Sequence, residues 1–126
     1  MQHVIAQPRP EPMPLPGLRH ATWAGQAEGL SQLSLWRQSI APGAGTPPHS
    51  HDCDEVVVCL SGTGELHADG AVTRFGARST LVLPRGGRHQ IINTGDVSLE
   101  ILGAFGASPV GTYGPDGGPL QLPWRS

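Results

Sequence analysis

The chain has no lysine; all eight of its basic residues are arginine. That excludes a Schiff base on a lysine amine, a common covalent route for carbonyl substrates. Cysteine is scarce too: Cys53 and Cys59 lie six positions apart on one predicted strand. Fully extended, that separation is roughly 20 Å, against a Cα–Cα reach of about 7 Å for a disulfide. The two read as reduced thiols in a reducing compartment, and the cytoplasm is the expected location. The net charge of −2 and a pI near 6.3 leave no electrostatic footprint for nucleic acid or an anionic membrane. No apolar run approaches the ~20 residues of a membrane span. Residues 1–17 lack the basic-then-apolar order of a signal peptide. Also missing are a Ser-His-Asp order, a phosphate-cradling loop and the Cys-x-x-Cys pair of a zinc finger.

What is present points to strands. The 126 residues make one domain by length, and a chain of that size buries a core without staples. Thirteen prolines and eighteen glycines argue against long helices. Proline clusters in residues 8–16, so residues 1–17 read as an extended arm held loosely until it meets the body. Short apolar runs at 33–40, 55–60, 79–83, 89–93 and 98–105 read as strands, and 65–74 as a hairpin about Asp69-Gly70. The continuous β-branched run at 55–60 suits a strand covered on both faces. Residues 18–106 form the expected barrel or sandwich, and the Gly/Pro-rich tail, 107–126, is a candidate lid or strap.

One constellation carries the chemistry. His49 and His51 alternate along an extended segment and so share a face. Glu55 has the same parity, and His89 returns from a later strand. Three imidazoles and a carboxylate suit a divalent transition metal ion: Fe, Mn, Ni, Cu or Zn.

The spacing also matches a family. Gly43, His49, His51, Glu55 and Gly62 reproduce the first motif of the cupin superfamily without a gap, and Pro84, Gly86, His89 and Asn93 the second. The chain thus resembles small single-domain bacterial cupins of the type-2 conserved-barrel group. The second motif should open with glycine at position 78, where this chain has Arg78; the departure touches a turn, not a ligand. The resemblance implies an all-β jelly roll, the double-stranded β-helix, with His49, His51, Glu55 and His89 as ligands to one metal ion. Four protein ligands leave open positions for water, substrate or dioxygen, the mark of a catalytic rather than a structural site.

Other residues admit two readings. Cys53 is a redox-sensitive neighbour of the site or a small filler in its loop; Cys59 reads as core. Asn93 reads as a strand-end turn residue. Trp36, Val57, Leu83, Ile91 and Phe105 either line a cavity or fill it. His20 and Trp23 are placed to edge the mouth, and His3 and His67 at the surface. Arg85 and Arg88 flank the His89 turn, where they attract an anion or are simply solvated. Asp52 and Asp54 are acids near the metal or solvated loop residues.

The favoured function is a metal-dependent, dioxygenase-like enzyme acting on a small organic molecule. In the non-redox form, an isomerase, cyclase or lyase, Glu55 serves as a proton shuttle. The alternative is a small-molecule binding or sensing barrel without turnover. Metal-free epimerase chemistry ranks last, because it needs a His-Asp dyad opposite a tyrosine and the only tyrosine, Tyr113, lies in the tail. The resemblance further implies a homodimer, with the N-terminal arm and an exposed sheet edge as contact elements.

Overall fold

Alternating apolar residues, interrupted every few positions by glycine or proline, fold as strands throughout. The computed structural model describes residues 2–126. Its strands are β1 (Glu11–Pro12), β2 (Leu18–Ala24), β3 (Ser34–Ile40), β4 (Ser50–His51), β5 (Glu55–Ser61), β6 (Thr63–Ala68), β7 (Ala71–Gly76), β8 (Thr80–Leu83), β9 (His89–Asn93), β10 (Leu99–Phe105) and β11 (Thr112–Tyr113). Among the described residues the only helix is a 3₁₀ turn at Gln26–Glu28, so no helix is long and apolar enough to cross a membrane.

The strands assemble as a six-stranded sheet in the order β1-β2-β3-β10-β5-β8, a three-stranded sheet β7-β6-β9 and the pair β11-β4. Together they make the expected jelly-roll barrel. Strict alternation on β3, β10 and β9 sends one face of each strand inward. The core is built from Leu18, Trp36, Ile40, Val57, Cys59, Leu81, Leu83, Ile91, Leu99, Ile101 and Phe105. Gly103 lies opposite Trp36 in the β3–β10 ladder. A Cβ on Gly103 would lie 2.0 Å from the indole, so the ring rests flat on bare backbone.

Turn chemistry sets the registers. Asp69 and Gly70 both have positive φ, 54° and 72°, as a two-residue hairpin turn requires. Gly62 pairs a φ of 89° with close approach to the Ser98 carbonyl, which a Cβ would meet at 2.7 Å. Arg78 occupies the missing-glycine position with glycine's backbone, at φ 71°; the turn survives and the strain is carried by arginine.

One expectation needs correction. Strand β5 is covered on one face only: Val57 and Cys59 are buried while Val56 and Leu60 are about half exposed. Among the described residues no second layer covers this outer face, so β-branched residues there reflect strand propensity rather than burial. The N-terminal arm meets the body along β2. Glu11 and Pro12 pair with Arg19 and His20 of β2, at a sheet edge, where proline costs no ladder bond. The Trp23 indole N–H donates to Pro8 O at 2.9 Å. The tail folds back over the barrel as a strap, pairing through β11 with β4.

Candidate metal centre

The ligand-type residues converge through backbone pairing. His49 and His89 exchange backbone hydrogen bonds, His49 N to His89 O at 3.0 Å and His89 N to His49 O at 2.8 Å. Their rings meet edge-on at 4.4 Å between centroids, with the His51 ring 4.7 Å from His49. One nitrogen from each of the three lies within 4.8 Å of the others, an arrangement that can hold a metal ion. Glu55 arrives differently from the simple alternation expected. The chain bends at 52–53, and Glu55 opens the next strand, with Oε1 3.2 Å from His89 Nε2 and 3.6 Å from His51 Nε2.

Every imidazole is turned the same way. Nδ1 faces a backbone carbonyl in each case: Pro47 O at 2.6 Å from His49, Gly87 O at 3.2 Å from His89 and Gly111 O at 3.3 Å from His51. A carbonyl only accepts, so Nδ1 carries the proton and Nε2 presents its lone pair to the centre. Burial and the neighbouring histidines push His49 down to about 4 and His51 down to about 3, so both are neutral ligand forms at pH 7. Burial pushes the Glu55 carboxyl up, with His89 opposing it.

Among the described residues, His51 Nε2 and Glu55 Oε1 are buried without an aligned hydrogen-bond partner, despite their short separation. Such orphaned polar atoms are costly, and a cation between them resolves the deficit. The donor set, three imidazole nitrogens and one carboxylate oxygen, fits Fe, Mn, Ni, Cu or Zn.

Beside the four polar residues lies a cavity of about 30 Å³, walled by Trp36, Gln38, Thr46, Pro47, Ile91 and Phe105 and by Leu122 and Trp124 of the strap. Trp36 Nε1 and Gln38 Oε1 are buried there without partners among the described residues. The orientation of Gln38 is fixed by a chain of bonds. Thr22 Oγ1 donates to Arg125 O at 2.8 Å and so accepts from His20 Nε2 at 3.0 Å. That leaves His20 Nδ1 to accept from Gln38 Nε2 at 3.1 Å, and the Gln38 carbonyl faces the cavity.

Other singled-out residues find definite places. Trp36, Ile91 and Phe105 line the cavity, whereas Val57 and Leu83 are core. His20 is not at the rim: it is buried and stacked on Trp124, centroids 4.2 Å apart. Trp23 lies outside, with Arg37 over its ring at 5.9 Å. His3 is exposed, and His67 pairs with Glu65 at 3.1 Å. Asn93 ties the β9 turn, donating to Ile40 O and Val97 O, both at 2.8 Å. Asp52 accepts from Gly111 N at 2.9 Å and Asp54 from Arg85 N at 2.8 Å, so both aspartates brace loops. Arg88 donates to Pro115 O. Burial pushes the Cys53 thiol up, away from the thiolate a redox role needs. Sequence reasoning missed Gln38, although its parity with Trp36 places it on the same face. It also missed Leu122, Trp124 and Thr112, whose roles depend on where the tail folds.

Comparison with known proteins agrees with this construction. A family model described as "Cupin domain" matches residues 36–105. Auxin-binding protein 1 of Arabidopsis thaliana is 36% identical over 105 residues, 75% of this chain and 53% of that protein. Auxin-binding protein T85 of Nicotiana tabacum is 34% identical over 109 residues, 77% of this chain and 58% of that protein. The chain therefore spans little more than half the length of these curated relatives. Among solved structures, the polyketide cyclase RemF of Streptomyces resistomycificus superposes with a TM-score of 0.70, covering 99% of this chain and 84% of that one at 17% identity, a likeness of fold alone. With both motifs and the barrel in place, the chain belongs to the cupin family.

Proposed function

We propose that this protein binds a small, largely apolar organic acid at a single divalent metal ion held by His49, His51, Glu55 and His89. One observation carries the reading: a cluster of ligand-ready imidazoles opens onto a cavity walled by Trp36, Ile91, Phe105 and Trp124. A bound divalent ion supplies Lewis acidity that holds an anionic oxygen. The aromatic walls take the apolar body of the ligand. Trp36 N–H donates to, and Gln38 Oε1 accepts from, its polar edge. At about 30 Å³ the cavity has room for about two waters, so a ring enters by displacing Leu122 and Trp124 of its lining. The curated relatives are named for binding auxin, and that wording makes indole-3-acetate the first probe here.

Calorimetric titration of indole-3-acetate into metal-loaded and metal-free protein tests the proposal. Binding that requires the metal and weakens at least tenfold in Gln38→Leu is expected. Metal-independent binding, or none, contradicts it. The second reading, metal-dependent turnover, is favoured by Glu55, a buried carboxyl raised by burial beside His89 and suited to moving a proton. Consumption of dioxygen or isomerisation of a bound acid by the loaded protein, lost in Glu55→Gln, would replace binding with catalysis.

A further inference from the structure

The three imidazoles are not held alike. His49 and His89 each turn Nδ1 to the carbonyl two residues before them, Pro47 O and Gly87 O, so their orientation is local. His51 has no such local acceptor among its hydrogen bonds. Its Nδ1 faces Gly111 O at 3.3 Å, sixty positions away, and the buried Thr112 Oγ1 at 3.1 Å. Both come from the tail, where Thr112 pairs with His51 across the β11–β4 ladder.

The tail is clamped at this point. Asp52 N donates to Gly111 O at 3.2 Å, and Gly111 N donates back to the Asp52 carboxylate at 2.9 Å. A Cβ at position 111 would sit 2.4 Å from Asp52 Oδ2, so a side chain there would push the Asp52 carboxylate out of the clamp. From here the same segment runs on across the cavity. Leu120 N donates to Thr112 O at 2.8 Å, and Trp124 ends the run stacked on His20.

We infer that Thr112 and Gly111 are positioning residues for His51, and that metal binding and docking of the strap are reciprocally coupled through them. The inference rests on the metal reading above and adds regulation to it. A strap displaced to admit a ligand withdraws the acceptors that orient one ligand imidazole. A bound metal that fixes His51 favours the docked strap by the same factor, because such coupling is symmetric.

Co(II) added to the full-length chain is the probe. Affinity by chelator competition and visible absorption are measured for wild type, Thr112→Val, Thr112→Ser and Gly111→Ala. Thermal melting of the metal-free proteins separates lost fold from lost orientation, and hydrogen exchange of residues 110–126 is followed with and without Co(II). Loss of an orienting partner weakens metal binding about 10- to 100-fold, so that loss and an altered spectrum are expected in Thr112→Val and Gly111→Ala. Thr112→Ser keeps the hydroxyl and stays near wild type, and Co(II) slows strap exchange in the wild type. Variants that melt like wild type and bind Co(II) equally well, or strap exchange indifferent to Co(II), overturn the coupling and leave the metal reading intact. A wild-type protein that takes up no Co(II) overturns both.

Discussion

Glu55 is the residue where function and stability pull apart. Its carboxyl is buried beside two imidazoles, with burial raising its pKa against the opposing effect of His89. An acid raised in the folded state loses stability as pH rises above its unfolded value near 4.5, because only the unfolded chain ionises freely. Glu55→Gln is therefore expected to stabilise the metal-free protein at pH 7, a gain that disappears below pH 4.5. The same substitution lowers metal affinity at least tenfold, and urea denaturation beside metal titration checks both signs. Arg78 is the complementary case, with strain and no visible return. Its φ of 71° costs an L-residue about 1–2 kcal/mol, so Arg78→Gly is expected to raise the denaturation midpoint by about 1 kcal/mol in stability. His49, His51 and Glu55 were legible because their spacing is local, and His89 because it sits in its own short motif. The strain at Arg78 was legible only as a broken motif.

Among elements, the β3–β10 ladder shows how strand alternation builds the cavity wall. Trp36 can lie inward only because Gly103 opposite lacks a side chain, with 2.0 Å to the place a Cβ would take. Gly103→Ala overpacks that contact and is expected to cost about 3 kcal/mol or more, measured by urea denaturation. The alternation of β3, β9 and β10 was readable directly, since one buried face imposes period two. The arm and the tail were not, because neither carries a periodic pattern. Glu11 finds β2, and Trp124 finds His20, by tertiary docking alone. His20 reports on that docking through pH. Burial lowers it to about 4 from 6.5, so its contribution is complete above pH 6.5 and is lost as pH falls toward 4, where the unfolded chain takes the proton first. The loss is on the order of 3 kcal/mol for such a shift. Stability measured from pH 7 to 4 should fall less steeply in His20→Gln than in wild type.

Across the whole molecule, the ligand-type residues come from two separated segments, the 49–55 stretch and the start of β9, with the tail pairing alongside through β11. No single element would hold the four polar groups in place, and buried orphaned atoms are the residue of that convergence. The barrel was legible because the two motifs fix its turns and its ligand positions together. The cavity was not, since part of its wall is a segment without a local signal. Metal occupancy should accordingly stabilise the entire fold, by about 2.7 kcal/mol at a free metal concentration one hundred times Kd. The most direct measurement is elemental analysis of protein purified without added metal or an affinity tag, beside His89→Ala. Near-stoichiometric Fe, Mn, Ni, Cu or Zn in the wild type that vanishes in the variant is expected. A wild type that stays metal-free after reconstitution, or a variant that retains its metal, would contradict the assignment of this cluster as the metal centre.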